Sequence, residues 1–419
     1  VNPHARASVL AEIQDHIEEQ AQDYRASGMS EAVAMQEAVR QMGDPVSTGE
    51  ALNQVHRPKF PIALFGLAVV LTVLGIAMQY LVYTHLTPDT AILSDTYLQR
   101  TILYNAIGLG LLLLCIFGNY MYLAKGAWIL LAIFLLGLLP PWFFGFYGRQ
   151  YTLCYYLALV YPLVYALLLY RLRDKGAKAI WFLHGLTLLF LVRMLFGTII
   201  TWSTVLAAGC LTLLLLCLAI HRGILTGSSK RTLWLLTVLP YVAAAACFVI
   251  LFFQNSYMRD RLTEFLKGSG YVQQMLALEQ QQMLAFGGGT ISSYVDTESL
   301  ASTYVLHSIF LWFGIVSGIL VIVALAVLVL RSLHYALHQS NRLALLAGTA
   351  ASGILLFELL HFVLTNLGCS PVYTASVPFL SYGFANSVFN SLLVGITLGV
   401  IRNQNVLSET TASLRGLRA

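Results

Sequence analysis

From Phe60 to about Arg402 the chain alternates apolar runs with short polar connections, and the runs have the length of about 20 residues that a helix needs to cross a hydrocarbon core. Within lipid only helices or closed barrels satisfy the backbone, and uninterrupted runs of this length are helices. Spans are predicted at 60–83, 101–118, 123–142, 151–170, 179–197, 200–220, 232–253, 304–330, 343–367 and 386–401. The fold class that follows is an all-α polytopic membrane protein of about ten transmembrane helices.

Residues 4–44 have a different pattern. Leu10, Ile13, Ile17, Ala21 and Tyr24 recur at helical spacing among acidic residues. A second amphipathic helix is expected from Ser30 as N-cap and Glu31 in the first turn, through Val33, Ala34, Ala38 and Met42, to a stop at Gly43-Asp44-Pro45. So small a soluble unit has little core and is expected to lean on another surface or on a second copy. Three parts result: a cytoplasmic helical prefix domain over 1–56, a membrane domain over 57–405 and a cytoplasmic tail over 406–419.

An even number of spans puts both termini on one side, and the basic residues say which. Arg57 and Lys59, Lys125, Arg171 with Arg173, Lys175 and Lys178, Arg222 with Lys230 and Arg231, Arg331 with Arg342, and Arg402 fall in alternate connections, which marks that side as cytoplasmic. The one long outer connection, about 254–303, carries Arg259, Asp260, Arg261, Glu264, Lys267, Glu279, Asp296 and Glu298 and the run Gly287-Gly288-Gly289. Connections this long are uncommon unless functional.

Composition agrees with lipid as the main solvent: 58% of the 419 residues are hydrophobic and 10% charged, where soluble domains have roughly 25% charged. The net charge of +5 comes from basic residues between spans and implies no nucleic acid. Cys115, Cys154, Cys210, Cys217 and Cys247 lie in apolar runs and only Cys369 in a loop, so neither a disulfide framework nor a metal site is implied and no cofactor is expected. The chain opens on a polar segment, so no secretory signal peptide is expected, and Val1 suggests a missing initiator or a truncated start.

Before the last predicted span runs Pro371-Val372-Tyr373-Thr374-Ala375-Ser376-Val377-Pro378-Phe379-Leu380-Ser381-Tyr382-Gly383. Its prolines fix φ, Gly383 permits a turn, and Ser381 and Tyr382 offer hydroxyls to a polar head group. Such backbone at membrane depth must be buried in protein or line a cavity. An ordinary aromatic-belt loop is the competing reading.

Pro378-Phe379-Leu380-Ser381-Tyr382-Gly383 resembles the signature of the SEDS proteins, the FtsW, RodA and SpoVE family of ten-span peptidoglycan glycosyltransferases acting on lipid II. Asn366 and Gly368 resemble the family's Asn-Ile-Gly near the end of span nine, Gly395 and Arg402 its end of span ten, and Gln99-Arg100 through Tyr120 its second span. His16-Ile17-Glu18-Glu19, Gly28-Met29-Ser30-Glu31-Ala32 and Met42-Gly43-Asp44-Pro45 resemble the helical prefix found before permeases and some SEDS-like proteins. The resemblance covers about residues 60–405. It implies a role in cell-wall synthesis, cell shape or division in the bacterial cytoplasmic membrane, with membrane lipids, a polyprenyl-pyrophosphate-linked sugar and a class B penicillin-binding transpeptidase as partners.

The departures bear on activity. Thr303, in Ser302-Thr303-Tyr304-Val305, stands where the family has a catalytic Asp, and a threonine hydroxyl is no base at neutral pH unless a neighbour deprotonates it. Asp296 and Glu298, a few residues upstream, are the replacements to weigh against plain solvated loop charges. The family's acidic landmarks in the fourth and sixth spans have no counterpart here: Ile199-Ile200-Thr201-Trp202-Ser203-Thr204 keeps only the final Thr. The resemblance therefore leaves open both a glycosyltransferase and an inactive relative that regulates a partner.

Ionisable residues within spans are functional candidates by default. Glu358 and His361, three apart, share a helix face, and Arg193 near the outer end of the fifth span suits a phosphate. Helix-locking pairs are the alternative for all three. His184 and His307 read as satisfied polar residues, and no metal-ligand spacing occurs. Two further classes stay open: a lipid or small-solute transporter using the Glu358/His361 couple, and a scaffold whose residues 4–44 bind a cytoplasmic partner.

Overall fold

The computed structural model describes residues 3–55, 57–86, 91–139, 150–195, 202–287, 297–371 and 376–404. Among these, regular structure is helical throughout. The prefix holds α1 (Pro3–Ala26), α2 (Glu31–Gln41) and α3 (Pro45–Val55). The membrane part follows as α4 (Ile62–Leu86), α5 (Ala91–Phe117), α6 (Met121–Lys125), α7 (Ala127–Gly137), α8 (Gln150–Arg171), α9 (Ala177–Leu195), α10 (Trp202–His221) and α11 (Lys230–Gln254). Then come α12 (Ser256–Lys267), α13 (Tyr271–Gln280), α14 (Thr297–Ser302), α15 (Val305–Phe313), α16 (Ile315–Leu337), α17 (Arg342–Asn366) and α18 (Phe384–Arg402).

Nine described helices are long and apolar enough to cross a membrane: α4, α5, α8 to α11 and α16 to α18. The predicted third span appears as the short α6 and the apolar α7, whose continuation over 140–149 lies outside the described residues. The predicted eighth span is two pieces. The chain breaks at Gly314, at φ 89° and ψ 168°, because Ile315 N donates to Leu284 O (2.9 Å) and Val316 N to Ala285 O (3.2 Å), stitching in the end of the long connection. A Cβ at Gly314 would stand 2.5 Å from Ala285 O and 2.6 Å from Gly287 N, so only glycine fits there. Apolar composition on both sides hides this break from a hydropathy reading.

The second helix ends just before Gly43, as expected, but α3 is an additional helix, and Ser30 begins α2 without a side-chain capping bond. Among the described residues the prefix's buried apolar side chains are Ala21, Ala34 and Ala38, while Leu10, Val33, Val39 and Val46 are exposed.

Burial sorts the spans into centre and rim. The most apolar 18-residue window is 83% buried in α8 and 78% in α17 and α18, but 6% in α11. Small residues let the central helices approach, as lipid-embedded packing requires: α17 buries Ala344, Ala347, Gly348, Ala350, Ala351 and Ser352, and α18 brings Gly395 and Gly399 against Cys115 of α5. Two apolar clefts of about 400 and 380 Å³ separate the rim helices α9, α10 and α11. At the end where α16 stops and α17 starts, basic residues cap helix carbonyls: Arg402 donates to Ile116 O (3.2 Å) and Arg222 to Leu337 O (3.2 Å).

Candidate functional site

The segment before α18 enters the bundle as a buried turn. Leu380 N donates to Pro378 O (2.9 Å), Val377 N to the Ser381 hydroxyl (3.0 Å) and Gln79 Nε2 of α4 to Leu380 O (2.7 Å). Gln79 lies seven residues before the end of α4, about 10 Å of helix rise, so the turn is re-entrant rather than a surface loop. Val377, Phe379, Leu380 and Ser381 are buried, as irregular backbone at membrane depth must be. From α18, Asn386 Nδ2 donates to Ser381 O (2.8 Å), and Asn390 Nδ2 donates to Asn386 Oδ1 (2.6 Å). Phe379 sits at φ 69°, a positive value that no other described non-glycine residue shares. An aromatic held there costs on the order of 1–3 kcal/mol, and the surrounding bonds have to over-determine it.

Behind Gly383, Tyr382 turns toward an aromatic group. Its ring is edge-on to Tyr83 (5.9 Å) and Tyr97 (5.5 Å), tilted against Tyr104 (6.1 Å), and Tyr104 meets Phe384 (5.3 Å). The Arg100 guanidinium lies beside the Tyr382 phenol, and Arg100 itself is exposed. Burial and the neighbouring Tyr104 and Tyr97 phenols push the Tyr382 phenol up, with Arg100 opposing them. Tyr382 is therefore a neutral hydrogen-bonding hydroxyl beside a permanent cation.

The position of Thr303 adjoins the same turn. Tyr382 N donates to Ala301 O (3.0 Å), and Leu300, Ala301 and Tyr304 form a second, smaller core with Val82, Tyr83 and Leu276, against which Tyr382 packs. Asn366, at the end of α17, joins its own helix to the backbone around Thr303: its Nδ2 donates to Thr303 O (2.8 Å) and Phe362 O (2.8 Å), and its Oδ1 accepts from His307 N (2.9 Å). Pro378, Ser381, Tyr382, Gly383, Asn366 and Thr303 are thus brought together. Asn366→Ala is expected to lower stability by about 2–3 kcal/mol, since it orphans a buried N–H and a carbonyl, and a shift in thermal unfolding of the purified protein checks it.

In the first turn of α15, His307 Nε2 bonds Glu279 Oε2 at 2.7 Å, and both side chains are buried. Glu279 comes from α13 in the long connection, where nothing in the sequence separates it from the exposed charges around it. Gln79, Arg100 and Glu279 are the polar residues of this end that sequence reasoning did not single out. Asp296 lies outside the described residues, and the Glu298 side chain is likewise not described.

Deeper in the bundle, Glu358 Oε1 accepts from the Ser376 hydroxyl (3.2 Å), which is also 3.2 Å from the Tyr155 hydroxyl. The Asn390 amide lies beside the same carboxyl. His361, the expected companion of Glu358, stacks on Phe357 with ring centroids 5.5 Å apart. Arg193 donates to Leu138 O (2.8 Å) and lies against Cys154. His184 Nε2 is satisfied by Leu236 O (2.9 Å). Among the described residues no three His, Cys, Asp or Glu side chains form a metal-holding group.

An all-α, multi-pass membrane fold with a re-entrant turn before its last helix is the class these observations define. The fold recurs in a solved chain of a peptidoglycan synthase complex that coordinates polymerization and crosslinking, with a TM-score of 0.57 at 18% identity, over 82% of this chain and 98% of that one. Two structures of the rod shape determining protein RodA of Thermus thermophilus also align, one wild type (16% identity, 82% of this chain and 97% of that one) and one mutant (17%, 82% and 98%), each at a TM-score of 0.49. No family model and no curated protein matches the sequence. The chain shares its fold with that chain of a peptidoglycan synthase complex.

Proposed function

We propose that this chain binds a polyprenyl-pyrophosphoryl sugar of the lipid II type at the outer face of the bacterial cytoplasmic membrane, with both termini cytoplasmic, in cell-wall synthesis, cell shape or division. The observation that carries this reading is the turn Pro378–Gly383, docked between α4 and α18 and bonded through Tyr382 to Ala301, with the exposed Arg100 beside it. An arginine at the membrane boundary suits a diphosphate, and tyrosine rings and hydroxyls suit a sugar. The shared fold with a peptidoglycan synthase chain supports the same direction, and a penicillin-binding transpeptidase is the partner it suggests. Arg193 is a second phosphate candidate.

Whether the bound sugar is polymerised depends on a base. Thr303 has no carboxylate bonded to it among the described residues, so glycosyl transfer falls to Asp296 or Glu298, and without them the chain is a binding partner that regulates a transpeptidase. Purified chain in lipid nanodiscs, titrated with fluorescent lipid II, is expected to bind it, and Arg100→Ala to weaken binding about tenfold, a loss in the range of one charge-assisted contact. No binding by the unaltered chain overturns the reading. Glycan strands that vanish in Asp296→Ala assign the base; strands that persist in both Asp296→Ala and Glu298→Ala exclude the two carboxylates. The exposed Leu10, Val33, Val39 and Val46 of the prefix are the surface proposed for a cytoplasmic partner.

A further inference from the structure

The buried cluster at Glu358 has no part in the reading above. Glu358 is 1% exposed and lies eight residues before the end of α17, about 12 Å of helix rise into the bundle. The groups bonded to it or beside it, Ser376, Tyr155 and Asn390, are uncharged. Its Oε2 accepts no hydrogen bond, and neither does Asn390 Oδ1, although both atoms are shut away from solvent.

A carboxylate buried among uncharged groups, with one oxygen that accepts no hydrogen bond, is costly. One positive charge at the carboxyl relieves that cost. The carboxyl and the two hydroxyls offer oxygen donors, which suits a hard cation and excludes a thiophilic one, and the Asn390 amide is a further polar neighbour. The two oxygen separations of 3.2 Å at Ser376 are longer than the 2.7–2.8 Å usual for a hydroxyl bond and leave the hydroxyls free to turn toward a common centre.

We propose that Glu358, Asn390, Ser376 and Tyr155 form a binding site for a single monovalent cation, a sodium ion or a proton, whose occupancy holds the re-entrant turn in place. The link to the turn is covalent and hydrogen-bonded at once. Ser376 is the residue next to Val377, whose N–H is bonded by Ser381, and Asn390 continues through Asn386 to Ser381 O. A charge at Glu358 thus touches both strands of the turn.

Among the described residues, the ionisable groups around the site are few. From α8 it faces the Tyr155 and Tyr156 phenols, from α18 the uncharged Asn390, and on α17 itself His361 follows one turn later. His221 and His334 sit in the last turns of α10 and α16, with Arg331 three residues before His334, toward the end where α17 begins. His307 of α15 is bonded to Glu279.

The test is the thermal unfolding of the full chain in nanodiscs, with sodium exchanged for N-methylglucamine at constant ionic strength and, separately, with pH raised from about 6 to about 8. If the ion is sodium, it raises the midpoint of the unaltered chain by about 3 °C or more, and Glu358→Gln removes the rise. If it is a proton, sodium has no effect, the midpoint falls by a similar amount as pH rises, and Glu358→Gln flattens the profile while His361→Gln leaves it. Responses to both that are the same in Glu358→Gln as in the unaltered chain overturn the proposal. Should Glu358→Gln not fold, Ser376→Ala decides: the site requires its half-saturating sodium concentration or its titration midpoint to shift about tenfold, and an unchanged value overturns the proposal. Because no lipid-linked sugar is present, failure here is distinct from failure of lipid II binding.

Discussion

Gly75→Val is expected to expel the re-entrant turn and to abolish lipid II binding while α4 itself remains helical. Gly75 lies in mid-helix, where glycine costs on the order of 1 kcal/mol against alanine, so something must require it. A Cβ there would collide with the Phe379 carbonyl oxygen and stand 3.0 Å from Phe379 C and 3.1 Å from Leu380 Cα, all of them backbone atoms that no rotamer change can move. Overpacking against side chains typically costs about 1–3 kcal/mol, and against a backbone already held at a positive φ the turn has no lower-energy retreat. Gly66 supplies the control in the same helix. A Cβ at Gly66 meets nothing within 4 Å, so Gly66→Val is expected to change neither the unfolding midpoint nor binding. The measurement is lipid II affinity alongside protease sensitivity of the segment 371–383. Wild-type affinity in Gly75→Val would separate the turn from the proposed site.

The contrast between Gly75 and Gly66 also shows what the sequence can and cannot convey. Spans are legible because lipid demands about 20 apolar residues in a row whatever their neighbours are, and Pro378, Gly383 and the hydroxyls between them mark an irregular segment by their own chemistry. A partner across the bundle leaves no such local trace. Gln79 is a polar residue inside an apolar run, and only the structure shows that its amide is spent on Leu380 O. Gly314 sits between Phe313 and Ile315 in an unbroken apolar stretch, so the split of the predicted eighth span into α15 and α16 depends on Leu284 and Ala285, about 30 residues earlier in the chain. Glu358 and His361 share a helix face as their spacing requires, yet the carboxyl is engaged by Ser376 and the ring by Phe357. Periodicity fixes which face a side chain is on and says nothing of what meets it there.

Glu279→Ala is expected to destabilise the membrane domain by about 3 kcal/mol and to free the connection between α11 and α15 for proteolysis. The pair it breaks is 2.7 Å long, with side-chain exposures of 0% for His307 and 3% for Glu279, so water cannot replace the lost partner. Removing one member of a buried, hydrogen-bonded pair strands the other, which is why such losses exceed those of surface ion pairs. The pair is also well placed to act as a latch. Glu279 belongs to α13, His307 to α15, and the backbone of His307 is already tied through Asn366 to Thr303, so α13 is clamped onto the segment that carries Thr303. His307→Leu alone is expected to cost a similar amount. The double change Glu279→Leu with His307→Leu is expected to recover a large part of the loss, because two apolar side chains of suitable volume avoid the desolvation that the pair has to overcome. Unfolding midpoints of the unaltered chain, Glu279→Leu, His307→Leu and the double change close the cycle. Losses that simply add would show that Glu279 and His307 do not act as one unit, which leaves apolar contacts such as those of Val272 and Leu276 to hold α13.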